Sequence, residues 1–260
     1  LGETIAANSD NEKGNLSLAE ACAEALGRIP APQAEDALIQ SLTGLKDYFY
    51  YVGWYGDHGA LFACHASPVH YFIAESLDHL ASTRARSVVP HLIRSMPTDP
   101  DRALLLVSDD CETIVGRVIR RCGAEAAVVD TCLALLGDAG AKSTKDIEDA
   151  VRKTYAAWAG HPGPEIRAAQ VLSAVCRDRS YEPRVRAALD RYNAQPPTDL
   201  VRAFGGGGLP RQLPTRNWVC FFLARTLGSL GEVASMDSLL TVLTRNGPEL
   251  SNGSPEPDSP

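Results

Sequence analysis

The chain has no long apolar run. No uninterrupted hydrophobic stretch reaches the roughly 18 residues that a membrane-spanning helix needs, so no membrane span is expected. Basic charge is in short supply: 25 Lys and Arg stand against 32 Asp and Glu, a formal net charge of −7 at pH 7. An acidic surface repels phosphate backbones, which argues against a general nucleic-acid partner. Aromatic residues are scarce, at 7%. The seven cysteines (Cys22, Cys64, Cys111, Cys122, Cys132, Cys176 and Cys220) include no Cys-x-x-Cys pair, which removes zinc-ribbon and thioredoxin-type motifs. An odd, scattered set reads as small buried hydrophobes in a reducing compartment, so an intracellular, cytoplasmic location is expected. Neither a Gly-Lys-Ser/Thr phosphate loop nor a Gly-x-Ser-x-Gly elbow is present. There is no initiator Met and no signal-peptide pattern, and the chain is expected to be a processed product or a module of a larger chain.

What the chain does have is similarity to itself. Ala23-Glu24-Ala25-Leu26-Gly27-Arg28-Ile29 recurs as Ala224-Arg225-Thr226-Leu227-Gly228-Ser229-Leu230, at an offset of 201 residues. The match continues without a gap, with Asp36, Leu38, Ile39 and Leu42 aligned on Asp237, Leu239, Leu240 and Leu243. An echo of this kind marks a protein in which one two-helix unit is stacked several times.

Helical spacing supports that reading. Leu16, Leu18, Ala19, Cys22, Ala23, Ala25 and Leu26 carry the spacing of a first helix that Asn15 or Ser17 can cap. Gly27 fits the left-handed residue that ends many helices. A second helix follows on Ala34, Ala37, Leu38, Ser41 and Leu42. The same layout returns at Ala74 to Leu80 with Val88 to Met96, and at Ile114 to Gly123 with Ala127 to Leu136. Further helices are expected over Asp146 to Ala159, from Pro164, from Pro183, over Trp218 to Leu227 and over Val233 to Leu243.

The Ala-x-Ala-Leu-Gly-x-Ile stretch followed by Asp-Ala-Leu-Ile-x-x-Leu resembles the HEAT repeat, in particular the short form found in phycobilisome bilin lyases. Glu165-Ile166-Arg167-Ala168-Ala169 and Arg184-Val185-Arg186-Ala187-Ala188 look like the family's outer-helix signature. The resemblance covers most of residues 16–245 and is clearest in the first and last units. It implies an all-α fold, a right-handed α-solenoid of about five to six helix pairs with a concave face lined by the second helices. The expected organisation is a flexible segment over 1–14, the solenoid over 15–246 and a disordered tail over 247–260. Two interruptions fall inside the solenoid: an aromatic insertion over 45–66 and a long glycine-rich loop over 194–215.

The repeat specifies architecture, and its members serve as scaffolds, adaptors, lyases and appendages of enzymes. The di-iron centre of the HEAT-repeat enzyme deoxyhypusine hydroxylase is held by His-Glu pairs, and this chain has no His-Glu dipeptide. A HEAT-like DNA glycosylase needs a basic groove. The local candidate here is Arg117, Arg120 and Arg121, which reads as a solvated helix face.

The sharpest anomaly is Tyr48-Phe49-Tyr50-Tyr51-Val52-Gly53-Trp54-Tyr55, where six of eight residues are aromatic. Such rings either fill the gap between two units or form a surface that grips a partner. Tyr50, Tyr51, Trp54 and Tyr55 are the first candidates for partner binding. Polar residues between the apolar positions of the second helices come next: Gln33, Glu35, Gln40, Arg86, His91 and Arg94. Asp57, His58, Cys64, His65 and His70 lie close in sequence but fit no zinc pattern, and no metal or cofactor is expected. Gly205 to Gly208 sit in the long loop as a connector or a functional segment.

The leading expectation is a non-enzymatic scaffold or adaptor that binds a protein or peptide, with a neutral or basic partner favoured by net charge. The alternative is a bilin-lyase-like enzyme or chaperone that holds a small hydrophobic ligand in the groove.

Overall fold

A computed structural model describes residues 1–9, 14–45, 50–52, 62–64, 68–96, 109–153, 163–196, 200–204 and 210–231. The described residues are predominantly helical. The helices are α1 (Gly2–Asn8), α2 (Leu16–Gly27), α3 (Pro32–Gly44), α4 (Pro68–His79), α5 (Val89–Ser95), α6 (Asp109–Arg121), α7 (Glu125–Leu135), α8 (Lys145–Lys153), α9 (Pro164–Val175), α10 (Glu182–Ala194) and α11 (Thr215–Leu230). Short 3-10 turns at Ala85–Val88 and Arg179–Tyr181 lead into α5 and α10.

Local chemistry starts these helices where the sequence signals fall. Asn15 caps α2, its side chain accepting a hydrogen bond from the Leu18 N–H at 3.2 Å. Proline occupies the first turn of α3, α5, α9 and α10. There its missing N–H has no intrahelical acceptor to lose.

Two departures from expectation stand out at the first unit. The segment 1–14, read as open and flexible, carries α1. That helix packs on α2 and α3, buries Ile5 completely, and accepts at the Gly2 carbonyl from the Ser41 hydroxyl at 3.3 Å. Gly27 is not left-handed either; the positive-φ glycines among the described residues are Gly123, Gly137 and Gly231. Gly27 serves close packing, because a Cβ there would lie 2.7 Å from the Ser76 Cβ on α4.

The helices form two rows. In the first, α2 packs on α4, α4 on α6, α6 on α9 and α9 on α11. In the second, α3 lies beside the turn at Ala85–Val88, α5 beside α8, α8 beside α7 and α7 beside α10. One core runs through both rows, from Ile5 to Leu230. First-row helices run parallel and nearly in register. Ser76 of α4 donates to the Ala23 carbonyl of α2 at 2.9 Å. Asp78 of α4 meets Arg117 and Arg121 of α6, and Arg120 of α6 meets the Ala174 and Val175 carbonyls of α9.

This parallel order gives the stack two unlike edges. Where first-row helices end, the chain turns at once through residues 28–31, 80–84, 122–124 and 176–178. Those turns are closed by their own hydrogen bonds, such as Gly123 N–H to the Arg120 carbonyl at 3.0 Å and Ser82 N–H to the Leu77 carbonyl at 2.9 Å. Where first-row helices begin, the chain arrives through residues 45–67, 96–108, 154–163 and 195–214. Every long connection therefore opens on one edge.

Two of these connections contain strands. β1 (Tyr50–Val52) pairs antiparallel with β2 (Phe62–Cys64), and β3 (Leu200–Phe204) with β4 (Pro210–Pro214). The helical reading of the stack stands, and the aromatic insertion and glycine-rich loop each fold back as a two-stranded ribbon. Their Val, Tyr, Phe and Leu content suits a pleated ribbon.

Candidate functional site

The candidate partner-binding residues fall into separate places. Tyr50 and Tyr51 lie in β1, opposite Cys64 and Ala63. Trp54 and Tyr55 lie outside the described residues. On the second row, Gln33 and Gln40 are exposed, seven positions apart on α3 and so on nearly the same face. Arg86 is exposed in the turn before α5, while His91 and Arg94 are half-buried on α5. Gln40 and Arg94 lie toward the helix ends that feed the long connections, and His91 lies in the first turn of α5. Gln33 and Arg86 lie at the opposite edge, so the five do not form one patch.

Glu35 is a clamp between units. Its Oε1 accepts from the Ser82 hydroxyl and from the Arg84 N–H at 3.2 Å, while Arg84 also pairs with Asp36 at 2.6 Å.

The arginines of α6 are tied to the neighbouring helices, with Arg121 still exposed. Arg117 chelates Asp78 from Nε and Nη2 at 3.0 and 2.6 Å, and Arg121 reaches the same carboxylate at 2.6 Å. Asp78 keeps only 14% of its side-chain exposure. Arg120 Nη1 donates to the Ala174 and Val175 carbonyls at 3.1 and 3.2 Å. Those carbonyls end α9 and have no intrahelical donor. Burial, then repulsion from Arg177, lowers the Arg120 pKa from the usual arginine range. The sequence reading missed these roles because three arginines on one helix look alike until the neighbouring helices are placed.

A buried polar network also escaped that reading. Arg167, fully buried on α9, donates from Nη2 to the Ile93 and Met96 carbonyls at 2.6 and 3.1 Å. Its Nη1 donates to Gln170 Oε1 at 2.7 Å, and Gln170 Nε2 donates to Glu112 Oε1 at 2.7 Å. Arg225 of α11 lies 3.3 Å from the other Glu112 oxygen. The chain of contacts joins α5, α6, α9 and α11.

Cys22, Cys122, Cys132, Cys176 and Cys220 are buried free thiols. Burial pushes Cys132, Cys176 and Cys220 each up to about 12, where almost no thiolate exists at neutral pH. His70 sits buried in the first turn of α4. Among the described residues no group of three His, Cys, Asp or Glu is placed to hold a metal; Asp57, His58 and His65 lie outside them. A cleft of about 260 Å³ between α2 and α4 is lined by Glu24, Gly27, Arg28, Glu75, Ser76 and His79. Pockets that enclose a drug-sized ligand typically measure ~300–1,000 Å³. No helix among the described residues is long and apolar enough to cross a membrane.

Residues 18–44 match the family model of the PBS lyase HEAT-like repeat. The match covers α2 almost entirely and all of α3, the first unit of both rows. No curated protein and no solved structure matches the chain.

Proposed function

We propose that this helical-repeat chain is a non-enzymatic interaction module that grips a protein or peptide along the edge where its first-row helices begin. The unlike construction of the two edges carries the reading. Short hydrogen-bonded turns leave one edge little chain beyond the helices themselves. Long connections supply the other with additional chain, which is where binding residues collect on repeat scaffolds. The aromatic insertion opens on that edge, so Tyr50, Tyr51, Trp54 and Tyr55 are the first contact set. Gln40, His91 and Arg94 extend it over the second row, with Gln33 and Arg86 more remote. The reading takes the stack as a right-handed solenoid of about five to six helix pairs over 15–246; the expected helix over Val233 to Leu243 and the tail over 247–260 lie outside the described residues. Five buried thiols suit a reducing, intracellular setting.

The test is an affinity pulldown from native lysate with the wild-type chain and a Tyr51→Ala, Trp54→Ala double variant, read for proteins and small molecules by mass spectrometry. A protein captured by the wild type and lost by a variant of unchanged melting temperature supports the reading. A variant that melts early yet keeps its partner assigns the rings to packing and overturns it. The alternative, a bilin-lyase-like role, is favoured by the description of the matched repeat. It predicts a coloured or other small molecule carried by the wild-type chain with no protein partner.

A further inference from the structure

Residues 200–231 contain four arginines (Arg202, Arg211, Arg216 and Arg225) and no Asp or Glu, in a chain whose formal net charge is −7. This segment comprises β3, β4 and α11. Arg225 is tied to Glu112 inside the stack. Arg216, at the start of α11, donates to the Gln195 carbonyl at 2.9 Å, which fixes the base of the ribbon to the end of α10. Arg202 and Arg211 lie in the ribbon itself. Arg202 pairs with Gln212 and Arg211 with Ala203, so the two-residue period puts one arginine on each face.

Among the described residues the ribbon has one proline-blocked edge and one edge that pairs with no further strand. Pro210 and Pro214 pair with Phe204 and Leu200, and proline has no N–H to give to a ladder. The donors that β4 offers β3 are then Arg211 and Leu213. The nitrogens of Pro210, Gln212 and Pro214 face away, and two of those three carry no hydrogen. Prolines placed this way protect an edge from further pairing. β3 has no proline, so Leu200, Arg202 and Phe204 present N–H groups on its outer side. Among the described residues the sheet stops at two strands.

We infer that the outer edge of β3 is a docking site for an extended acidic peptide segment of a partner protein, which adds as a third strand. Backbone pairing supplies the register, Arg202 on the pairing strand supplies the direct charge complementarity, and Arg211 on the opposite face adds to the positive field of the ribbon. Five residues of β3 offer about 17 Å of edge, room for a segment of about five residues. The acidic whole-chain charge favours a neutral or basic partner elsewhere on the surface; this ribbon is the basic exception. The inference rests on the interaction-module reading above and names one partner class and one binding mode for it.

The test uses the full chain and a fluorescein-labelled, end-capped decapeptide of alternating Glu and Val, followed by fluorescence anisotropy. Binding should weaken about tenfold or more in an Arg202→Glu, Arg211→Glu variant. A similar loss is expected in a Leu200→Pro, Phe204→Pro variant, which copies onto β3 the protection β4 already has. Peptides N-methylated on alternate residues give a check that leaves the protein untouched. One methylation phase should abolish binding and the other should be tolerated. Equal binding by both phases, or unchanged binding by the proline variant, overturns strand addition. Overturning also follows from equal binding of a Lys-Val peptide, from a preference for single-stranded oligonucleotide, or from a ribbon-dependent dimer in place of peptide binding. The pulldown separates the two failures. A partner lost with Tyr51→Ala, Trp54→Ala but kept by the Arg202→Glu, Arg211→Glu variant leaves the module reading standing and sinks this one.

Discussion

Gly116 lies on α6 where that helix meets α9. A Cβ built on it would stand 2.1 Å from the Ala174 carbonyl oxygen, 2.9 Å from the Ala174 carbonyl carbon and 3.2 Å from Arg120 Nη1. Two of those atoms are backbone in the last turn of a fully buried helix, so no rotamer change relieves the contact. Gly116→Ala must push α6 and α9 apart by about 1 Å or more to reach ordinary carbon–oxygen contact. Overpacking of this sort costs ~1–3 kcal/mol. The same displacement strains the Arg120 bonds to the α9 carbonyls, which contribute about 1 kcal/mol each. Against this, alanine in a helix interior gains about 1 kcal/mol over glycine. The expected net loss is ~2–4 kcal/mol, or about 5–15 °C in melting temperature for a chain of this size. The matched control is Gly228→Ala. Gly228 sits within α11 with nothing within 4 Å of an added Cβ, so the substitution should raise the melting temperature by a few degrees. Both variants are read by circular dichroism melts. A Gly116→Ala protein that melts at or above the wild-type temperature would refute the close packing of the first row and the parallel register built on it.

Glu112→Ala removes the buried carboxylate between Gln170 and Arg225. Breaking one side of such a network should cost ~3–5 kcal/mol in urea unfolding, and Glu112→Gln should cost less. Arg184 donates to Asp138 at 2.8 Å and to Asp130 at 2.7 Å, and the Arg184 hydrogen bond lowers the Asp138 pKa from the usual carboxylate value. A carboxylate depressed in the folded state stabilises the fold above its unfolded value of about 3.9 and loses that contribution as pH falls through the folded value. An Arg184→Met variant should therefore be less stable than wild type at pH 7, by a gap that closes below about pH 4. A gap that stays constant down to pH 3 would remove Asp138 from the explanation.

The stack was legible where one residue type has one physical meaning. Leu38 and Leu42 at helical spacing are core residues and nothing else, and the proline-led starts of α9 and α10 fell where the sequence put them. Legibility failed where the neighbour decides. Pro164-Glu-Ile-Arg167 and Pro183-Arg-Val-Arg186 share one local grammar. Arg167 is fully buried, because α9 is packed by α6, α7, α8 and α11. Arg186 stays a third exposed beside Glu182. Nothing within either segment distinguishes them. The ribbon at Leu200–Phe204 was hidden for another reason: five residues between prolines and a glycine run carry too short an alternation to read as a strand. The candidate site was half legible. The aromatic cluster marked its segment, but only the parallel order of the first row puts that segment on the same edge as the basic ribbon.

That order also says where function belongs on such a chain. Residues that follow the repeat are held by packing. Arg84, Arg117, Arg121 and Arg184 are each tied to an aspartate, and Gly27 and Gly116 to the close approach of the next helix. Altering any of them for a partner would cost stability in the stack. The first-row contacts among the described residues run from helix to helix, and the insertions lie between those helices in sequence. A partner surface can vary there at little cost to the fold, and the two departures from helical structure are found there: an aromatic ribbon entering α4 and a carboxylate-free ribbon entering α11. Their common edge follows from the parallel first row, which is why the Gly116→Ala melt bears on the binding hypothesis as well as on the fold.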